Sequence, residues 1–186
     1  MVQRELVALA RNGDREAFSA LAASVVDRLY ATAMLILRDH SMADDATQET
    51  IVLAWRDLPS LRDPDRFDAW LRRLLVNACR DEGRRHRRRR PEITLLPIHE
   101  PVIGDSSAEL ADRDALERGF RRLVPEERAV IVLHHYLDLP LPEVAATLRI
   151  PLGTAKSRLY RGLKEMRAAL DADARPGPHV REGRPA

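Results

Sequence analysis

Cysteine is almost missing. The 186 residues contain one, Cys79, so no internal disulfide can form, and no Cys/His grouping has zinc-site spacing. Aromatic residues make up only 4%. A core must therefore be built from Leu, Val, Ile and Ala, for which the 45% hydrophobic content suffices. Runs of β-branched and aromatic residues, the mark of strands, are scarce, whereas Ala and Leu favour helix. An all-α fold is expected. The chain also lacks a Gly-rich phosphate loop and any nucleophile with a base at convergent spacing. Its paired acids, Asp44-Asp45 and Glu126-Glu127, sit in helical patterns without a histidine partner, which argues against an enzyme, a metal site or a cofactor. No signal-type apolar stretch begins the sequence, and no segment reaches the roughly 18 apolar residues of a membrane span. The expectation is a cytoplasmic protein with no membrane partner.

The net charge of +2 hides a pattern. Residues 1–69 carry 8 Lys+Arg against 12 Asp+Glu, and residues 70–90 carry 9 against 2. Residues 91–127 carry 4 against 9, and residues 128–186 carry 10 against 6. Two basic blocks are thus separated by an acidic spacer. Clustered basic charge is the footprint of nucleic-acid binding, because phosphates neutralised by Lys and Arg release counterions.

Helical periodicity organises the chain. Asp14 can cap a helix from Arg15 to about Leu37, with Phe18, Leu21, Ala22, Val25, Leu29, Ala33 and Ile36 on its apolar side. His40–Met42 reads as a turn, Ala43–Leu58 as a helix, and Pro59–Asp65 as a loop. A further helix runs from Arg66 to about Arg85 with a stripe of Phe67, Trp70, Leu71, Leu74, Leu75 and Ala78, which places Trp70 in the core. Pro91, Pro97, Pro101 and Gly104 make 91–108 a linker. Ser106 and Glu109 form a capping box for a helix reaching Leu123. Pro125 opens another helix, which ends near Leu137. The Pro/Gly/Arg-rich tail beyond residue 170 reads as disordered.

Between Leu141 and Leu163 lies a helix-turn-helix pattern. Val144, Ala145 and Leu148 face inward on the first helix, Arg149-Ile150-Pro151 form the turn, and Ala155, Leu159, Leu163 and Met166 line the second. The opposite face carries Lys156, Ser157, Tyr160 and Arg161, flanked by Arg158. Arg and Lys at such positions can donate to guanine edges or phosphates in the major groove. By spacing alone, an ordinary solvated helix face remains open.

The motifs from Leu123-Val124-Pro125-Glu126-Glu127 through Ile150-Pro151-Leu152-Gly153-Thr154-Ala155-Lys156-Ser157-Arg158 resemble the sigma-4 domain of bacterial RNA polymerase sigma factors. Asp44-Asp45-Ala46-Thr47-Gln48-Glu49, Ala54-Trp55 and Phe67 with Trp70-Leu71 resemble sigma-2 of the same family, extracytoplasmic-function type. Pro140, Pro142 and Arg149 depart from its pattern, Arg149 standing where glycine is frequent. The resemblance implies two small helical domains joined by a flexible linker: 1–90 and 109–170, with linker 91–108 and tail 171–186. It implies a promoter-specificity subunit that reads a −35 duplex and captures the melted −10 element. Asp45, Gln48 and Glu49 would dock the clamp coiled coil of the polymerase largest subunit, and the second subunit's flap would hold sigma-4. Arg62, Asn77 and Arg80 would read the −10 strand, with Arg84 and Arg85 on phosphates. Lys156, Ser157, Tyr160 and Arg161 would read the −35 element, with Arg158 on phosphate. An anti-sigma factor is a further partner the family allows. The competing function is a stand-alone helix-turn-helix regulator that binds operator DNA without polymerase.

Overall fold

In the computed structural model, residues 2–89 and 116–173 are described. Among them every regular element is helical. Eight helices follow in order among these residues: α1 (Val2–Arg11), α2 (Arg15–Leu37), α3 (His40–Asp57), α4 (Phe67–Arg89), α5 (described over 116–122), α6 (Pro125–Ile131), α7 (Leu141–Leu148) and α8 (Leu152–Asp173). The all-α expectation holds. The expected linker 91–108, the Ser106/Glu109 capping box and the tail beyond Asp173 lie outside the described residues.

Local chemistry sets the breaks. Gly13, at φ +91°, ends α1 in a conformation that glycine adopts without strain. Asp14 then caps α2, its Oδ1 accepting from the backbone N–H of Glu16 and Ala17 at 2.9 and 3.0 Å. Arg38 closes α2 in the left-handed region, and the next residue, Asp39, caps α3 by accepting from Met42 N–H at 2.9 Å. The expected turn at His40–Met42 is therefore the first turn of α3: one left-handed residue followed directly by a cap needs no longer connection. The Pro59–Asp65 loop contains single 3-10 turns at Leu58–Ser60 and Pro64–Arg66.

Leu21, Val25, Leu29, Ala33 and Ile36 of α2 form the buried spine of the first half, with Leu71, Leu75 and Val76 of α4 and Ala43, Ala46 and Ala54 of α3 packed around it. Helix α2 is long and apolar enough in composition to cross a membrane, but this side of it is committed to the core. Thr47 and Thr50 are buried on α3, and each hydroxyl donates to the carbonyl four residues back, so neither is left unpaired. Trp70 is half-buried and packs on the core beside Phe67, as expected, with ring centroids 6.0 Å apart.

In the second half, α6 continues into a widened turn, Val132–Tyr136, closed by Leu137 N–H donating to Val132 O at 3.1 Å. Helix α7 begins between two prolines that a first turn tolerates, since its N–H groups have no intrahelical acceptor. Val144, Ala145 and Leu148 are buried as expected. On α8, however, Leu163 is exposed, and Gly162 holds the inward position instead, between Leu159 and Met166. A stripe at 155, 159, 162, 166 and 169 follows the 3.6-residue turn more closely than one through 163. Glycine is needed there: a Cβ at 162 would lie 2.7 Å from Ile131 Cδ1. Helix α8 runs to Asp173, three residues into the expected tail 171–186.

Arg149 closes α7 at φ 52°, ψ 48°, a left-handed conformation that costs a non-glycine residue about 1 kcal/mol or more. Its side chain is exposed to solvent. Arg149→Gly is expected to stabilise the fold by about 1 kcal/mol, read as a higher urea midpoint at unchanged slope.

Candidate polymerase and nucleic-acid interfaces

On α3, the alternation of buried Ala43, Ala46, Thr47 and Thr50 with exposed Asp45, Gln48, Glu49 and Val52 follows from helical spacing. The exposed set forms one acidic-to-apolar face. It borders a groove against α4 that Asn77, Glu82 and Arg85 also line. Glu82 is only 6% exposed and accepts from Arg85 at 3.1 Å. Arg84 pairs with Asp81, likewise three residues earlier. The sequence alone did not show that these two arginines are held by carboxylates of their own helix, although the i, i+3 spacing signals it.

The residues expected on the −10 strand do not gather on one surface. Arg62 is exposed in the segment between the two 3-10 turns. Asn77 and Arg85 open into the α3/α4 groove. Arg80 points the other way, and its Nη1 donates to Leu148 O, at the end of α7, at 3.4 Å.

On α8, Lys156, Ser157, Tyr160 and Arg161 are exposed, Tyr160 at 70%. The Ser157 hydroxyl donates to its own helix, with Gly153 O at 2.9 Å and Thr154 O at 3.1 Å. Arg161 faces Glu127 of α6 at 3.7 Å. Arg158 is half-buried and lines a narrow cleft with Arg80, Arg87, Glu126, Cys79 and Leu148.

That cleft is one part of a seam between the halves that the sequence did not announce. Glu117 of α5 accepts from both Arg121 and Arg38. The Arg121 hydrogen bond, and then the Arg38 charge, hold its carboxyl below the usual range against the opposing effect of burial. Arg87 lies 3.6 Å from Glu126. Arg128, 7% exposed, has no partner for its Nε among the described residues. Burial first, then the neighbouring Arg38 charge, lowers its pKa to about 10. Cys79 is buried, and desolvation pushes its thiol up to about 12. Among the described residues no three metal-ligating side chains cluster.

Comparison with known proteins adds the following. Residues 21–89 match the family Sigma-70 region 2, and residues 113–166 match Sigma-70, region 4. The RNA polymerase sigma-E factor of Streptomyces avermitilis is 32% identical over 80% of this chain and 84% of its own length. The ECF RNA polymerase sigma factor SigM of Mycobacterium tuberculosis is 33% identical over 84% and 79%. Among solved structures, CnrH in complex with the cytosolic domain of CnrY is 31% identical, covers 94% of this chain and all of its own, and superposes with a TM-score of 0.63.

Proposed function

From the premise that the chain belongs to the sigma-70 family of RNA polymerase sigma factors, in its extracytoplasmic-function type, we propose how its residues divide the work. The protein is a sigma factor that directs RNA polymerase to promoters. The first 90 residues act as the core-binding and −10 module, 91–108 as the linker, 109–170 as the −35 module and 171–186 as a tail. One observation supports this division most directly. A single chain exposes an acidic helix face, Asp45, Gln48, Glu49 and Val52, and a basic recognition face, Lys156, Ser157, Tyr160 and Arg161.

The acidic face suits a basic coiled coil of the polymerase clamp, since complementary charge steers encounter and fixes register. The recognition face suits duplex DNA of the −35 element, with a flap contact of the second subunit holding the module in place. Arg62 and Asn77, together with Arg80 once it is freed from Leu148, would face the −10 strand. Arg84 and Arg85 would meet phosphates on exchanging their carboxylate partners. The work is binding and strand capture, without a catalytic step by this chain, and it takes place in the cytoplasm. CnrH forms a complex with the cytosolic domain of CnrY, and for this chain an anti-sigma factor is a fitting partner.

Run-off transcription with purified core polymerase and a promoter library tests the division. Discrete transcripts that depend on this chain are expected. A competent core that yields none from any promoter overturns it.

A further inference from the structure

We propose that α8 reads thymine methyl groups, Leu152 and Tyr160 each covering one on either side of a guanine read by Lys156. The inference rests on the assignment of α8 to the −35 duplex and names the base chemistry that this face requires.

Helical spacing sets the stripe. Leu152, Lys156 and Tyr160 are four residues apart, so each lies about 40° round the axis from the last, and all three share one edge of α8. All three are exposed. The core of this half closes on another side of the helix, where Ala155, Gly162 and Ala169 are buried. Farther along, α8 turns charged residues to water, Lys164, Glu165 and Arg167. Residues 152–160 instead expose two large apolar side chains around one cation. Single exposed apolar residues are common, and it is their place that informs. A helix in the major groove touches base edges with its N-terminal part, which is where this apolar surface lies.

The thymine C5-methyl is the apolar group that base edges offer in the major groove. Covering it with Leu152 or the Tyr160 ring removes apolar surface from water on both partners. A cytosine at the same place would set its amino donor against an apolar side chain and leave it without an acceptor. Between the two, the Lys156 ammonium suits the O6 and N7 acceptors of guanine. Leu152 and Tyr160 stand about 12 Å apart along the axis at 1.5 Å per residue. That length covers about three to four base steps of 3.4 Å, so both methyls and the guanine fall within one short segment.

Two local features favour this reading. Gly153 falls between Tyr160 and Ser157 in helical projection and has open space around it, so no side chain holds the first turn away from the bases. The Ser157 hydroxyl is turned back on the Gly153 and Thr154 carbonyls and does not offer its hydrogen to a base. Discrimination over residues 152–160 is left to the stripe.

The test uses holoenzyme assembled from the full chain and core polymerase, with a duplex library randomised over the −35 segment. Selected duplexes are expected to carry thymine, on either strand, on both sides of a guanine within about four base steps. Replacing each such thymine by deoxyuridine removes only the methyl and should weaken binding about fourfold, the effect of burying one such group. Leu152→Ala should erase the penalty at one thymine and Tyr160→Ala at the other, whereas Tyr160→Phe, which keeps the ring, retains it. Leu163→Ala, at an exposed position a turn beyond Tyr160, should keep both penalties. Selected duplexes without thymine beside guanine overturn the proposal, and so does uracil that binds as well as thymine. Penalties that persist in both alanine variants also overturn it, because the methyl then acts through DNA shape and not through α8. The uracil comparison uses the unaltered chain, so it decides the outcome even if an alanine variant fails to fold. A defined −35 preference without any methyl effect removes this inference alone. No enrichment of any duplex, with a competent core, removes the −35 assignment of α8 and this inference with it.

Discussion

Gln48→Lys combined with Glu49→Lys is expected to lower affinity for core polymerase on the order of 100-fold and to abolish run-off at limiting concentration. Both side chains are exposed on α3, so the fold is expected to survive; Thr47 and Thr50 carry the buried contacts of that stretch. The change sets two cations against a partner selected for a negative face, and like charges opposed at an interface cost several kcal/mol. Net charge must be controlled, because a more basic chain binds any polyanion better. Asp171→Lys on α8 adds positive charge at an exposed position remote from α3 and should leave core affinity within about twofold. Equal losses in both variants would assign the effect to long-range charge and remove Gln48 and Glu49 from the contact. A free protein that unfolds at its usual temperature, yet fails to co-elute with core, is the signature of a lost interface.

Elements whose determinants are local are legible in the amino-acid order itself. Asp14 caps α2 because a carboxylate after Gly13 is a local signal, and the inward set on α7 follows from three apolar residues at helical spacing. The acidic face of α3 is equally legible, since residues 45, 48, 49 and 52 share a face on any helix. What the sequence could not disclose depends on partners distant along the chain. Leu163 and Gly162 are both compatible with an inward stripe until Ile131 of α6 is brought against one of them. Arg80 has the residue type and place of a strand reader, yet its observed partner is a carbonyl 68 positions away. Arg128 looks like any surface arginine of an acidic first turn, yet it is buried beside Arg38, a residue 90 positions earlier. Short-range pattern thus sets the helices and the exposed faces, whereas the seam arises from contacts without periodicity or motif.

Arg161 distinguishes base reading from simple attraction, and its removal should have the larger effect of any single change on α8. In the free chain its guanidinium lies 3.7 Å from Glu127, whose side chain is mostly buried. Arg161 is 63% exposed, so this pair is screened and is worth little. A guanine edge offering two acceptors, or a phosphate, outcompetes it, because a bidentate contact adds geometry as well as charge. If Arg161 reads a base, Arg161→Ala should cost about 1–3 kcal/mol on the preferred −35 sequence and flatten discrimination at one position. If it contacts phosphate, affinity should fall on every sequence alike, and the dependence of log affinity on log salt should become shallower by about one ion. Lys156→Ala and Arg158→Ala supply the comparison on the same helix, with Arg158 expected to follow the phosphate pattern. Measuring all three against a panel of single-base variants, with assembled holoenzyme at two salt concentrations, separates the outcomes. Holoenzyme is required because Arg158 lines the cleft between the halves, so its removal would change packing there as well as DNA contact. A uniform loss for Arg161→Ala would move sequence reading to Lys156 and Tyr160, the other exposed side chains on that face.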